Sequence, residues 1–169
     1  MIHYIYTRVR TACIVLTLLL VSLCTTAARH WDLQVSANSR FLQYADGTPF
    51  FWLGDTGWLL PQSLQRGEVK GYLSTCAKNG FNVVQVQTIC GVPCVNAYGQ
   101  YSNISRQNPW DFSAIDRDAV YSYWNHMDYI IEEAERNGIY IAMVCIWGGL
   151  VKGGAMDTEG AKAYGTFLA

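Results

Sequence analysis

The sequence predicts an α/β fold, namely the N-terminal portion of a (β/α)8 barrel. About three β/α units follow a short β-hairpin, so the barrel is not closed. One observation is a repeat, in which a helix, an Asn-Gly pair and an apolar strand follow one another at 64–89 and again at 119–147. A second observation is that these strands are nearly continuously apolar. Such strands are typical of a parallel sheet covered by helices, and their alternation with helices gives an α/β fold.

Residues 1–28 have the layout of a signal peptide. Two arginines precede an apolar run at 12–23, and small residues follow the run at 25–28. A membrane anchor is the alternative, but an apolar run of about a dozen residues is shorter than the ~20 that a spanning helix needs. We therefore expect a secreted or periplasmic protein whose mature part is 29–169 and which keeps no stable membrane span after cleavage.

The composition indicates a packed globular core and argues against a nucleic-acid partner. Hydrophobic residues make up 51% and aromatic residues 14% of the 169 residues. The formal net charge is -1, and the lysines and arginines are scattered along the chain. A chain without a basic patch lacks the electrostatic field that holds a polyanionic backbone.

The mature chain opens with a predicted hairpin. Short strands at Leu33–Val35 and Phe41–Tyr44 are followed by a turn at Asp46-Gly47-Thr48-Pro49. The strongly apolar segment Phe50–Leu53 comes next, and we predict that it is the first buried strand of the barrel.

The repeated units follow this strand. A helix is predicted from Leu64 to Lys78, with a left-handed cap at Gly80, and Phe81–Ile89 is the next strand. A second helix at Ala119–Arg136 leads through Asn137-Gly138 into the strand Ile139–Trp147. Asp157 or Thr158 then caps a third helix. The sequence given ends there, so we count three barrel strands at most, whereas a closed barrel needs eight.

Four cysteines lie in the mature chain. Cys90 and Cys94 flank Gly-Val-Pro and are close enough in sequence to close a small loop as a disulfide, which export permits. Cys76 and Cys145 lie inside apolar segments, so we predict buried thiols there. A zinc site is the alternative for the first pair, but Cys-x3-Cys without a neighbouring His has weak specificity.

Polar and aromatic residues at the ends of the predicted strands are the candidate ligand-binding residues. Active sites of such barrels gather at the C-terminal ends of the strands. The candidates are Asp55, Trp58, Gln87 and Trp147. An indole face stacks on a sugar ring, and a carboxylate or a Gln amide bonds to hydroxyl groups. The alternatives are that Asp55 caps a turn and that Gln87 and Trp147 belong to the barrel packing.

Other ionisable residues are better explained by structure. Asp111, Asp116 and Asp118 flank the start of the second helix, where carboxylates favour the helix dipole. His126 lies within that helix, and no second His stands at ligand spacing, so we predict a structural role for it.

The segment from Asp46 to Trp58, which reads DGTPFFWLGDTGW, closely resembles the opening of the apiosidase-like glycoside hydrolases. The stretches Gly80–Gln87 and His126–Trp147 are similar to the next two units of that family. The resemblance covers nearly all of the mature chain. It implies a calcium-associated TIM-type barrel that acts on plant cell-wall glycans, with apiose-bearing pectin as the characterised substrate type.

The resemblance also bears on catalysis. Glycoside hydrolysis ordinarily needs two carboxyl groups that flank the scissile bond. In this family that pair is expected on later strands, beyond Ala169, so no residue is assigned as acid, base or nucleophile. We expect the 169-residue chain alone to be inactive. The alternative is a secreted noncatalytic module that binds carbohydrate or protein through the aromatic loop between Tyr98 and Phe112.

Overall fold

The structure is a computed structural model that describes residues 32–103, 108, 110–113 and 115–169. The predicted signal peptide at 1–28 lies outside the described residues. The chain divides into two compact units, the first ending at Phe51 and the second beginning at Trp52. The part of the chain that the structure describes contains no helix both long and apolar enough to cross a membrane.

The first unit contains the predicted hairpin. Strand β1 spans Leu33–Val35 and strand β2 spans Leu42–Tyr44, and the two pair antiparallel with Val35 opposite Leu42. The turn that follows has Gly47 at φ 85°, a conformation that favours glycine. Phe50 is buried in this unit, where its ring meets Tyr44 edge to face at a centroid distance of 5.4 Å.

The second unit is built on a parallel sheet of three strands. The strands are β3 (Gly54–Thr56), β4 (Val83–Ile89) and β5 (Tyr140–Ile146), and β4 lies between the other two. Asp55 is in register with Val84, and Val84 is in register with Ile141. Among the described residues the sheet is open, as the sequence predicts, and its two outer strands each have one neighbour.

The first strand of this sheet is shorter and later than predicted. Pairing begins at Gly54, opposite Val83, whereas the apolar segment before it is not a strand. Phe51 is 77% exposed and Trp52 is 52% exposed. The prediction of a buried strand at Phe50–Leu53 is therefore wrong, because strand pairing begins only at Gly54 and, of the four residues, only Phe50 is buried, within the first unit.

Two helices replace the predicted helix at 64–78. Helix α1 spans Leu60–Ser63 and α2 spans Arg66–Lys78. Leu64 between them is extended, with ψ 129°. The start of α2 is fixed by the Glu68 carboxylate, which accepts a hydrogen bond of 2.8 Å from the backbone N–H of Gln65. This bond satisfies an N–H that the helix itself leaves without a partner.

Helix α3 spans Tyr123–Arg136 and begins four residues later than predicted. Ser122 is its N-cap and accepts a hydrogen bond from the Asn125 N–H at 3.4 Å. The aspartates upstream do not cap the helix directly. Asp116 instead accepts from the N–H groups of Asp118 and Ala119, which closes a turn ahead of the helix.

The Asn-Gly pairs end both long helices in the same way. Gly80 has φ 83° and Gly138 has φ 72°. After α2 the Phe81 N–H donates to the Cys76 carbonyl at 3.0 Å, and after α3 the Ile139 N–H donates to the Ala134 carbonyl at 2.9 Å. Each junction thus satisfies carbonyls at the end of its helix and turns the chain into a strand.

Two further helices follow β5. Helix α4, at Gly148–Lys152, was not predicted, whereas α5, at Thr158–Leu168, was. Asp157 caps α5 by accepting a bond of 2.7 Å from the Gly160 N–H. A five-residue helix offers too little periodicity to be seen in the sequence.

The core lies between β4 and the helices α2 and α3. Its centre consists of side chains with no exposed surface: Val69, Leu73, Val84, Val86 and Ile130. Strand β5 is less buried than predicted, since Met143 is 41% exposed. The Cys145 thiol is also exposed, which corrects the prediction of a buried thiol there, whereas Cys76 is buried as predicted. Met143 and Cys145 both lie on β5, an outer strand that has a neighbour on one side only among the described residues.

Candidate functional site

The C-terminal ends of the three parallel strands enclose a cleft with a volume of about 430 Å³. Trp58 comes two residues after β3, Gln87 lies near the end of β4, and Trp147 directly follows β5. These three candidates from the sequence all line the cleft. The complete lining is Trp58, Leu59, Gln87, Cys90, Trp147, Gly149 and Leu150. The size is within the range of small-molecule sites.

Backbone contacts fix the two sides of the cleft. The Gln87 N–H donates to the Trp58 carbonyl at 2.9 Å, so the segment after β3 is held against the middle strand. On the other side Gln87 is in register with Val144, three residues before Trp147. The positions of these residues thus follow from the parallel ladder.

The two tryptophans meet at the cleft. Their ring centroids are 5.4 Å apart and their planes are inclined by 78°, an edge-to-face arrangement. Aromatic pairs favour this geometry because the positive edge of one ring meets the negative face of the other. Trp147 is still 53% exposed, so much of its indole surface is open to a ligand.

Gln87 supplies polar groups to this aromatic cleft. Gln87 is 8% exposed, and its backbone carbonyl accepts from the side-chain amide of Gln62, in helix α1, at 3.4 Å. A carboxamide both donates and accepts hydrogen bonds. Indole faces, an amide and aliphatic side chains together suit a ligand with apolar C–H faces and many hydroxyl groups.

Asp55 lies elsewhere. It is in register with Val84, whose side chain belongs to the core beside the helices, and residues in register share a face of the sheet. The Asp55 carboxylate accepts from the Tyr72 hydroxyl at 2.7 Å and from the Thr56 N–H at 2.8 Å. The structure therefore places Asp55 against α2 and not among the residues that line the cleft, and its bonds go to Tyr72 on the helix and to Thr56 within β3.

These hydrogen bonds shift the pKa values of the groups involved. The Tyr72 hydroxyl, then the Thr56 N–H, lower the pKa of Asp55, because both stabilise the ionised carboxylate. Burial and the bond to Asp55 raise the pKa of Tyr72. Burial also raises the pKa of the Cys76 thiol, whose sulfur lies 3.7 Å from the same carboxylate. At neutral pH this group is thus an ionised carboxylate bonded to a neutral phenol.

Cys90 at the cleft lies close to Cys94. Their Sγ atoms are 3.3 Å apart, and both are free thiols in this structure, so the disulfide stays a prediction. Burial, and then the neighbouring Cys94, raise the pKa of the Cys90 thiol to about 11. Cys94 is 2% exposed.

Three described aromatic residues of the long loop pack against other rings or the backbone. Tyr98 stacks on Tyr121 at 4.4 Å, and Phe112 stacks on Phe167 at 4.5 Å. Trp110 is 8% exposed, and its indole N–H donates to the Ala155 carbonyl at 3.0 Å. These contacts stabilise the loop. Tyr101, in contrast, is 44% exposed.

His126 is part of the core, as predicted. It has no exposed surface, and its Nε2 lies 2.9 Å from the Leu64 carbonyl. Burial lowers its pKa, and the positive charge of Arg66 acts in the same direction. The neutral imidazole with Nε2–H donating to Leu64 fits this environment.

Sequence reasoning missed several residues of the cleft. Leu59 and Leu150 lie in segments that were not assigned to it, and Cys90 was considered only for its sulfur. Leu59 directly follows Trp58 ahead of α1, and Leu150 lies three residues after Trp147, in the short helix α4 that follows β5. That position is the signal that could have identified them, because such connections form the ligand-binding face of this architecture.

Metal ligands are not grouped in the described part of the chain. No cluster of three or more His, Cys, Asp or Glu residues that could hold a metal ion occurs there. No described residue is therefore assigned to the calcium that the resemblance implies, and calcium stays an expectation.

Comparison with known proteins gives a consistent result. A family model described as the apiosidase-like catalytic domain matches residues 36–169. A solved structure of a glycoside hydrolase is 53% identical, with a TM-score of 0.76 over 81% of this chain and 30% of its own. A glycoside hydrolase family 5 structure from Bacteroides vulgatus is 51% identical, with a TM-score of 0.77 over 83% of this chain and 30% of its own. This chain thus spans about 30% of the length of either structure. None of the curated proteins matches it.

Proposed function

Since this chain belongs to the apiosidase-like glycoside hydrolase family, we propose that its cleft binds a sugar unit of a plant cell-wall polysaccharide, such as apiose-containing pectin. One observation supports this most strongly. Trp58, Gln87 and Trp147 come from three different strand ends, yet they line one cavity. The parallel ladder brings these strand ends together, and the half-exposed Trp147 ring beside the Gln87 amide is a lining that suits a hydroxyl-rich sugar ring.

The chemistry of the lining favours binding over bond cleavage. Glycoside hydrolysis ordinarily uses a carboxylic acid and a carboxylate on either side of the scissile bond. The described residues that line this cleft offer aromatic, aliphatic, amide and thiol groups. We therefore propose that the carboxyl pair comes from the part of the enzyme that this chain does not span. On this proposal the 169-residue chain binds sugar without cleaving it.

The proposal also includes export. Plant cell-wall polysaccharides are too large to enter a cell intact, so an enzyme that acts on them works outside the cytoplasm. The signal-peptide layout of residues 1–28 supports this location. Fractionation of expressing cells, with N-terminal sequencing of the exported protein, tests it, and a protein retained whole in the cytoplasm contradicts it.

Calorimetric titration with apiose-bearing pectic oligosaccharides tests the binding proposal. Trp147→Ala should weaken binding at least tenfold, because the exposed indole surface of the cleft is lost. Trp52→Ala is a matched control, since Trp52 is 52% exposed, close to the 53% of Trp147, and does not line the cavity. Equal loss of binding in both variants, or no binding by the unmodified chain, contradicts the proposal.

Hydrolysis is tested in parallel with the same oligosaccharides. The chain alone should release no reducing sugar above the buffer control. If the chain does hydrolyse the oligosaccharides, the rate is measured again for Cys90→Ala and Gln87→Leu. An unchanged rate in both variants would show that other residues of this chain are catalytic.

A further inference from the structure

Two sulfur atoms lie in contact at the edge of the cleft. The Sγ atoms of Cys90 and Cys94 are 3.3 Å apart. A disulfide bond is about 2.05 Å long, so a shift of little more than 1 Å would bring the two atoms to bonding distance. Cys90 directly follows strand β4, which ends at Ile89. One member of the pair is therefore anchored on the central strand of the sheet.

Hydrogen bonds hold the second sulfur in place. The Cys90 N–H lies 3.4 Å from the Cys94 Sγ, and the Tyr123 hydroxyl lies 3.3 Å from it. Tyr123 is itself fixed, because it donates to the Thr88 carbonyl and accepts from the Gln62 amide at 2.7 Å. With the Tyr123 proton used in this way, the Cys94 S–H donates to the Tyr123 oxygen. The Cys94 sulfur accepts from the Cys90 N–H and from the Gln62 amide at 3.8 Å, and these contacts hold it beside Cys90.

The two thiols differ in access. Cys90 is exposed and lines the cleft, whereas Cys94 is 2% exposed. A dissolved oxidant reaches the first sulfur and not the second. Access therefore makes Cys90 the thiol that meets the oxidant and Cys94 the one that resolves the product, while the raised pKa of Cys90 slows the first step at neutral pH.

We propose that Cys90 and Cys94 form a reactive dithiol that closes to a disulfide at the edge of the sugar cleft, with Cys90 as the attacking thiol and Cys94 as the resolving thiol. The oxidant is a disulfide-bearing molecule, either a small one such as oxidised glutathione or a thiol–disulfide exchange protein. The proposal rests on the sulfur geometry alone, so it stands or falls independently of sugar binding.

The reaction consists of two exchanges. Cys90 loses its proton to solvent, and its thiolate attacks one sulfur of the oxidant RSSR, which breaks that S–S bond and releases RS⁻. Cys94 then loses its proton and attacks the Cys90 sulfur of the mixed disulfide, which releases the second RS⁻. The thiolates take up the two protons. In total, two thiols and RSSR give the Cys90–Cys94 disulfide and two RSH, so two electrons pass to the oxidant.

The test uses the full chain and oxidised glutathione at about pH 8.5, because the raised pKa of Cys90 leaves little thiolate at neutral pH. Remaining thiols are alkylated after an acid quench, and peptides are mapped by mass spectrometry. The peptide that contains Cys90 and Cys94 should lack two hydrogen atoms and carry no alkyl group. Adding dithiothreitol should restore two alkylation sites.

Single variants separate the two roles. In Cys94→Ser, Cys90 should accumulate as the glutathione mixed disulfide, since the resolving thiol is missing. In Cys90→Ser, Cys94 should remain unmodified in the folded protein, because it is buried. The matched control is Cys145→Ser, which removes another exposed thiol and should leave the Cys90–Cys94 disulfide unchanged.

Three results would overturn the proposal. One is a mixed disulfide on Cys90 that persists in the unmodified chain, and another is modification of Cys94 in folded Cys90→Ser. The third is a pair that stays fully reduced while Cys145 reacts. Circular dichroism of each variant confirms folding, and if Cys94→Ser does not fold, the unmodified chain and Cys90→Ser still decide the question.

Discussion

The rings of Trp58 and Trp147 meet edge to face, with centroids 5.4 Å apart, although they follow strands that are not neighbours in the sheet. The middle strand places Gln87 in the same cavity. A contact between residues 89 positions apart in sequence thus depends on the register of the whole parallel sheet. It is the feature from which the proposed sugar site follows.

The amide of Gln87 should contribute to binding more than to stability. Gln87→Leu removes its hydrogen bonds and keeps similar volume, so oligosaccharide affinity should fall roughly 3- to 10-fold, which corresponds to one or two hydrogen bonds. Gln85→Leu is the control, because alternation puts Gln85 on the same face of β4 and it does not line the cavity. Calorimetric titration should show unchanged affinity in the control, and equal losses in both would argue against the assigned role.

Gly57 should be required where the chain leaves β3 and passes close to side chains of α2 and β4. A Cβ atom there would lie 3.0 Å from both the Tyr72 hydroxyl and the Val84 side chain. Gly57→Ala should therefore lower the free energy of unfolding by about 1–3 kcal/mol, as overpacked cores do.

Gly71→Ala provides the matched comparison for this substitution. Gly71 lies within α2, and nothing lies within 4 Å of an added Cβ atom. Alanine should therefore stabilise the helix by up to about 1 kcal/mol. Urea unfolding measures both variants, and a stabilised Gly57→Ala would show that the close approach is not present in solution.

The Tyr72–Asp55 hydrogen bond should make the protein more stable above the ordinary pKa of an aspartate than below it. The pKa of folded Asp55 is lowered, so this stabilisation is complete above the unfolded pKa of about 3.9 and is lost as pH falls through the folded value. Tyr72→Phe removes the largest cause of the shift. It should lower the free energy of unfolding by about 1 kcal/mol at pH 7.

The pH dependence distinguishes this bond from simple packing. Between pH 7 and about pH 2, the difference in stability between the unmodified chain and Tyr72→Phe should shrink, because a protonated carboxyl no longer stabilises the phenol bond as strongly. Denaturant unfolding at several pH values measures the difference. A difference that stays constant over this range would mean that the lost hydroxyl acts only through packing.

His126 should make stability rise with pH near neutrality. Its folded pKa is lowered by burial, so the unfolded chain binds a proton that the folded chain does not, and stability falls as pH drops below the unfolded value of about 6.5. The slope from this one residue is at most about 1.4 kcal/mol per pH unit. His126→Gln should flatten the profile between about pH 5 and 7, and an unchanged slope would refute the assignment.

The sequence predicts most of the second unit because its signals are local. Asn79-Gly80 and Asn137-Gly138 mark both helix ends correctly, and the apolar strands after them form β4 and β5. The errors occur where tertiary contacts decide. Phe51 and Trp52 have strand-like composition, but the ladder begins only at Gly54, and composition does not reveal register.

The sequence predicts only part of the site, because strand ends can be recognised locally and the face that a side chain occupies cannot. Trp58, Gln87 and Trp147 were identified from their positions at strand ends, which the parallel sheet brings together. The same argument predicts Asp55 in the site. Side chains alternate between the two faces of a strand, however, and Asp55 occupies a position whose side chain points towards α2. A shift of one residue sends a side chain to the opposite face, so its contact with Tyr72 could be found only in three dimensions.

Sugar binding to the cleft that Trp58 and Trp147 line can be observed at the indole N–H signals of the six tryptophans. They are followed in ¹⁵N–¹H NMR spectra during titration with an apiose-bearing pectic oligosaccharide. The signals of Trp58 and Trp147, assigned by substitution, should shift in a saturable manner. Those of exposed Trp52 and of Trp124, whose N–H donates to the Ser102 carbonyl, should not. Saturable shifts at Trp52 or Trp124 with none at Trp58 and Trp147, or no shifts at all, would contradict the claim.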